Sequence, residues 1–171
     1  YTSEVFSQEK VINRLEKDII EYLVDLSNAP LTDEQHMQVN ILFNVVNDIE
    51  RVGDHADNIA ELSQIAIEER LEFTPDAMME FDYIFDKTHR VFKTSLESLE
   101  KNDYNLAKKA LKLEEEVDAL EEKYRTNHID RLNKFQCNPS SGVVFLDLLS
   151  NLERISDHSF NIAIYVVEKN K

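Results

Sequence analysis

Residues 49–60 read IERVGDHADNIA, and residues 152–163 read LERISDHSFNIA. The two segments match without a gap at seven of twelve positions, at an offset of 103 residues. Self-similarity at a fixed offset is typical of a duplicated structural unit. The chain is therefore predicted to contain two copies of one unit, residues 1–73 and residues 74–171.

The sequence around both segments is typical of long helices. The 171 residues include 2 Gly and 3 Pro, too few for the many turns of a sheet protein. Pro30, Pro75 and Pro139 divide the chain, and Asn102-Asp103 offers a further break. Apolar residues recur at steps of three and four, which predicts helices over about 3–28, 33–71, 76–101, 104–135 and 141–169. The apolar face of the first helix comprises Val11, Leu15, Ile19, Tyr22 and Leu26.

Helix-start residues accompany each proline. Thr32 and Gln35 fit a capping box, Thr74 precedes Pro75 as a cap, and the Ser140-Ser141 pair takes the cap role after Pro139. Long helices joined by short turns form antiparallel bundles. The predicted fold is all-α, with five long antiparallel helices in tandem three-helix repeats. The first repeat lacks its first helix and the chain begins with Tyr1 rather than Met, which indicates a fragment of a longer protein.

Composition and charge narrow the function classes. With 19 Lys+Arg against 34 Asp+Glu, the net charge is −15, so the chain lacks the basic patch that nucleic acid requires. It is repelled by anionic membrane surfaces, and its apolar runs are far shorter than the roughly 20 residues of a membrane span. Neither a nucleic-acid partner nor direct membrane insertion is expected. The single cysteine, Cys137, excludes an intrachain disulfide.

The repeated segments place pairs of acids on one helix face. Glu50 and Asp54 are four residues apart, as are Glu153 and Asp157, and an asparagine follows each pair after four more residues. Like charges at this spacing repel, so a compensating positive charge is expected. A bound metal cation is one candidate, because carboxylates suit hard and intermediate metals. The arginine after each glutamate is the other, in a salt-bridged seam between the repeats, and spacing alone does not choose between them.

Other residues add to or limit this chemistry. His55 and His158 lie about 100° further around the helix, so they are expected to hydrogen-bond at the edge of the acidic face. Asp118 and Glu16 are the acids expected from a neighbouring helix, and Glu114 lies four residues before Asp118. The chain has no Glu-x-x-His pair of the di-iron bundle enzymes, no Gly-rich phosphate loop and no nucleophile elbow. No catalytic residue and no enzymatic activity are predicted.

The repeated segments resemble the signature of the PhoU family, bacterial regulators of phosphate uptake. Members of that family have two three-helix repeats, each with Glu-Arg-x-x-Asp-x-x-x-Asn-Ile in its third helix. The resemblance implies metal sites that hold transition-metal ions such as iron, zinc, manganese or nickel. The residues implied are Glu50, Asp54, Glu153 and Asp157, joined by Asp118 and Glu16.

A second resemblance concerns the polypeptide that carries this unit. The stretch from His128 to Cys137, with FLDLL at 145–149, is similar to the PhoU-like tail of bacterial sodium/phosphate cotransporters. This implies a regulatory domain on the cytoplasmic side of the inner membrane, attached to the membrane transport domain of the same polypeptide. Other phosphate-transport or signalling proteins are further expected partners, and a homodimer is left open. The alternatives are a free-standing PhoU-type adaptor for a phosphate ABC transporter and sensor kinase, or a purely structural helical module.

Overall fold

The computed structural model describes residues 2–170 and contains five helices. These are α1 (Thr2–Ser27), α2 (Asp33–Glu68), α3 (Pro75–Lys101), α4 (Tyr104–Asn133) and α5 (Pro139–Lys169). Residues 2–170 contain no strand, so the all-α, five-helix prediction is confirmed.

Side-chain caps start the helices. Gln35 N donates to Thr32 Oγ1 at 3.3 Å, and Thr32 N donates to Gln35 Oε1 at 2.9 Å, which confirms the capping box at α2. Thr74 caps α3, with Pro75 as the first helical residue. Asn102, in the left-handed region at φ 48°, ends α3 at the predicted break.

The start of α5 differs from the prediction. Asn138 Oδ1 accepts a hydrogen bond from Ser140 N at 2.8 Å, and Pro139 is the first helical residue. Asparagine is at least as good a cap as serine, and proline is favoured immediately after a cap. The predicted caps, Ser140 and Ser141, therefore lie inside the first turn of α5.

Two helices end earlier than predicted. Helix α2 ends at Glu68 rather than near residue 71, and α4 ends at Asn133 rather than near residue 135. Arg70 (φ 53°) and Phe135 (φ 56°) follow these ends in the left-handed region. A left-handed residue reverses the chain direction and terminates the helical hydrogen bonds.

Helix α5 is the centre of the molecule, because it contacts α2, α3 and α4. Helices α3, α4 and α5 contact one another in a three-helix bundle. Its core is formed by fully buried apolar side chains from all three helices, including Ile84, Val91, Val117, Phe145 and Leu149. Burial of side chains this large contributes roughly 1.5–3 kcal/mol each to folding, so this bundle is the main stabilising unit.

Helices α1 and α2 extend the bundle on one side. Helix α2 packs against α5, and within residues 2–170 α1 contacts α2 alone. The apolar face predicted to be buried on α1 is therefore only partly covered: Val11, Leu15, Ile19 and Tyr22 are 39–66% exposed. The periodic pattern was correct, but a helix with a single neighbour cannot bury the whole stripe.

No helix within residues 2–170 combines the length and the apolar character needed to cross a lipid bilayer.

Candidate metal centre

The histidines and asparagines of the repeated segments join α2 to α5. His55 Nδ1 donates to Asn151 Oδ1 at 2.9 Å, and Asn58 Nδ2 donates to the same oxygen at 3.2 Å. The expectation that His55 hydrogen-bonds at the edge of the acidic face therefore agrees with the structure. Asn58, which spacing grouped with the acids, instead serves the contact between the two helices.

The second copy makes the equivalent contact, with the donors on α5 and the acceptor on α2. His158 Nδ1 donates to Asp48 Oδ1 at 2.8 Å, and Asn161 Nδ2 donates to that oxygen at 3.1 Å. Asp48 is 103 residues before the acceptor in the first copy, the same offset as the histidines. The rings of His55 and His158 stack at 5.8 Å between centroids. The two copies therefore exchange equivalent hydrogen bonds across a local two-fold arrangement.

The acids of the second copy converge between α4 and α5. Glu114 and Asp118 of α4 and Asp157 of α5 each offer one carboxylate oxygen within 4.8 Å of the others. Glu114 is only 8% exposed, and no described residue donates a hydrogen bond to its carboxylate. Withdrawal of most of a carboxylate side chain from water disfavours its charged form. Three such oxygens could supply part of the donor set of a metal ion that prefers oxygen ligands.

The electrostatics of this cluster favour the neutral forms of Glu114, Glu153 and Asp118. Desolvation, reinforced by the charges of Asp118 and Asp157, raises the pKa of Glu114 to about 7. Desolvation followed by Asp157 also raises the pKa of Glu153, despite the opposing charge of Arg154. Asp118 lies at the exposed rim, yet desolvation and Asp157 raise its pKa too. A bound cation would remove this mutual repulsion.

The acids of the first copy form a looser group. Desolvation and the charge of Asp54 raise the pKa of Glu50, and Glu16 and Glu9 of α1 add to the effect. Helix α1 approaches closely at Gly53, where an added Cβ would lie 3.2 Å from Ile12 Cδ1. The predicted residues Glu50, Asp54 and Glu16 are thus brought to one region, together with Glu9.

Equivalent residues of α1 and α4 are 105 positions apart in the sequence, whereas those of the two repeated segments are 103 apart. At the offset of 105, Glu9, Leu15 and Glu16 match Glu114, Leu120 and Glu121. Asn13 then stands where the second copy has Asp118. The predicted residues Glu16 and Asp118 are therefore not equivalent, because the first copy has two more residues between its acidic α1 and α2 positions.

The arginines of the segments compensate the acids only weakly. Arg51 Nη1 lies 3.4 Å from Asp54 Oδ2, and Arg154 Nη1 lies 3.4 Å from Asp157 Oδ2. Both arginine side chains are about 60% exposed, and exposed ion pairs contribute about 0–1 kcal/mol. The contact between α2 and α5 runs through the histidines and asparagines, so the arginine pairs do not form a buried seam between the copies.

Sequence reasoning gave too little weight to Glu114 and missed Asp48 and Asn151. For Glu114 the available signal was its four-residue spacing from Asp118. Asp48 and Asn151 are separated by the repeat offset of 103 residues, which was the available signal for them. The match is not an identity, because one copy has Asp and the other has Asn.

A family model described as the PhoU domain matches residues 1–63 and 83–166. The chain is 26% identical over 166 residues to the phosphate-specific transport system accessory protein PhoU homolog 1 of Thermotoga maritima, covering 96% of this chain and 70% of that protein. It is 23% identical over 168 residues to the corresponding PhoU homolog of Clostridium acetobutylicum, covering 95% and 75%. The crystal structure of PhoU from Pseudomonas aeruginosa shares the fold, with a TM-score of 0.90 at 22% identity over 99% of this chain and 82% of that chain.

Proposed function

Because this chain belongs to the PhoU family, we propose that it is a PhoU-type regulator of phosphate transport, working with a phosphate-specific transport system on the cytoplasmic side of the bacterial inner membrane. The observation that carries this proposal is the family match, which includes both repeated segments. The relatives are accessory proteins by name. Their description confirms the prediction of a protein that is not an enzyme.

The relatives also bear on which polypeptide carries the unit. The proteins named above are accessory proteins of phosphate-specific transport systems. They support the adaptor alternative better than the predicted tail of a sodium/phosphate cotransporter, and a transport domain in the same polypeptide finds no support among them. The proposed partners are therefore separate components of a phosphate transport system.

The proposal includes a duplicated architecture, with residues 1–73 and 74–171 as the two copies. The reciprocal hydrogen bonds of His55 and His158 support it. So does the packing, since the α1–α2 contact of the first copy corresponds to the α4–α5 contact of the second.

The acidic clusters are the proposed sensing element. In the second copy Glu114, Asp118, Glu153 and Asp157 would hold a divalent metal ion. In the first copy Glu50 and Asp54 would do so with Glu9 and Glu16. The metal supplies positive charge that neutralises the facing carboxylates. Among iron, zinc, manganese and nickel, an all-oxygen donor set best suits manganese.

Metal binding would couple the clusters to the shape of the protein. Each cluster spans two helices, α4 with α5 or α1 with α2, so a bound ion would fix how those helices pack. Binding to the folded state alone also stabilises it by mass action. The surface offered to a transport partner would then depend on metal occupancy.

Phosphate uptake in the organism that encodes the chain tests the regulatory role. Loss of the gene product is expected to change the uptake of radiolabelled phosphate by cells grown with abundant phosphate. The double variant Asp54→Asn/Asp157→Asn is expected to do the same, because it removes a carboxylate from each cluster.

Asp130→Asn is the matched control, since Asp130 is an exposed acid of α4 outside the cluster. Unchanged uptake after loss of the gene product would contradict the regulatory role. Wild-type uptake in the double variant, with loss of control in the deletion, would contradict only the role of the metal clusters.

A further inference from the structure

The two acidic clusters differ at one equivalent position. Asp118 of α4 corresponds to Asn13 of α1 at the offset that aligns Glu114 with Glu9. When Glu121, the counterpart of Glu16, is counted, the second cluster has five carboxylates and the first has four. Glu121 acts on the pKa of both Asp118 and Glu153, so it lies beside the second cluster.

The structure shows a second difference at the same position. Asn13 Nδ2 donates a hydrogen bond to a carboxylate oxygen of Glu9, so one oxygen of Glu9 already has a partner. Glu114, its counterpart, is buried and receives no hydrogen bond from any described residue. Within residues 2–170, the only group of three acids with ligand atoms within 4.8 Å of one another is the one in the second copy.

We propose that the two clusters bind divalent cations in sequence, the second-copy cluster first, and that Asp118 against Asn13 sets the difference in affinity. This inference rests on the proposed metal-binding function. The affinity of an oxygen-ligand site rises with the number of charged ligands and with how well they are placed beforehand. Both factors favour the cluster of Glu114, Asp118 and Asp157.

Sequential loading has a structural consequence. The first ion would join α4 to α5 inside the three-helix bundle, which is already held by a large apolar core. The second ion would join α1 to α2, and α1 has no other neighbour within residues 2–170. Only the second binding step would therefore change how firmly α1 is held.

Titration of the full, metal-free chain with Mn²⁺ tests the inference, with free Mn²⁺ followed by electron paramagnetic resonance. Wild-type protein is expected to show a tight and a weak class of sites, separated by at least about tenfold in dissociation constant. Asp118→Asn is expected to bring the tight class to within about threefold of the weak one. Asn13→Asp is expected to tighten the weak class by about tenfold.

Asp130→Asn and Asn133→Asp are the matched controls, because each makes the same change of charge at an exposed position of α4 outside the cluster. Two results would overturn the sequential order and leave the metal proposal standing. One is equal affinity of all sites in the wild type. The other is no change in the dissociation constant of either class in Asp118→Asn and Asn13→Asp. Absence of Mn²⁺ binding by the wild type would overturn both. Asn13→Asp tests the inference independently if Asp118→Asn does not fold.

Discussion

Metal-free protein is expected to lose about 2 kcal/mol of unfolding free energy as the pH rises from about 5 to about 8, and Glu114→Gln is expected to remove most of that loss. Desolvation raises the pKa of Glu114 from 4.5 to about 7, with further contributions from Asp118 and Asp157. Between these values the folded protein keeps a proton that the unfolded chain has released. The stabilisation is therefore complete below about pH 4.5 and is lost as the pH rises through about 7.

The size follows from the shift. A rise of the Glu114 pKa from 4.5 to about 7 corresponds to about 3 kcal/mol. Solvent at the exposed rim of the cluster screens part of this, which leaves about 2 kcal/mol. Glutamine resembles the protonated acid at every pH, so the variant is expected to match the wild type at pH 5 and to exceed it at pH 8.

Urea unfolding followed by circular dichroism, in the presence of a chelator, measures the effect. Glu115→Gln is the control, because Glu115 is the exposed neighbour on α4. An equal loss of unfolding free energy in the wild type and in Glu114→Gln would show that Glu114 is not the titrating group.

Arg131→Met is expected to destabilise the protein by about 3–5 kcal/mol. Arg131 is 8% exposed, and its Nη2 donates to Glu80 Oε2 at 2.6 Å and to His128 Nδ1 at 3.1 Å. Burial, followed by the charge of Arg131, lowers the pKa of His128, which keeps the ring neutral and able to accept. Removal of the guanidinium leaves the Glu80 carboxylate, itself largely buried, with Asn127 as its remaining donor.

The matched double variant Arg131→Met/Glu80→Met is expected to be within about 1 kcal/mol of the wild type, because two apolar side chains replace a buried ion pair at little cost. Arg154→Met, at an exposed arginine of α5, is expected to cost about 1 kcal/mol or less. Thermal and chemical denaturation of the four proteins measures these differences. A cost below about 1 kcal/mol for Arg131→Met would contradict the prediction that breaking this buried pair exposes an uncompensated charge.

The helices could be predicted from the sequence because their signals are local. Capping residues at Thr32 and Thr74 and the break at Asn102 all act within a few residues of the helix ends. The predicted start of α5 was wrong. Asn138 and Ser140 are both good caps, and Pro139, which is favoured immediately after a cap, decides between them. The prediction that the apolar face of α1 is buried was wrong, because burial depends on neighbouring helices rather than on the helix's own pattern.

Part of the candidate site could also be predicted from the sequence, because part of its signal is local. Pairs such as Glu153 and Asp157 lie on one helix, so their spacing fixes their shared face. Which of three consecutive acids on α4 faces α5 depends on how the helices pack, and the structure selects Glu114 over its exposed neighbours. The pairing of Asn13 with Asp118 was hidden because the copies differ in length between their two acidic helices.

The metal content of the protein tests the central claim, that the acidic clusters bind metal ions, most directly. Elemental analysis of tag-free protein, before and after incubation with manganese, iron, zinc or nickel, is compared between the wild type and Asp54→Ala/Asp157→Ala. Stoichiometric metal in the wild type, lost in a double variant with an unchanged circular dichroism spectrum, is the expected result. A wild-type protein that stays free of all four metals would contradict the account and leave the acidic faces as solvated surface.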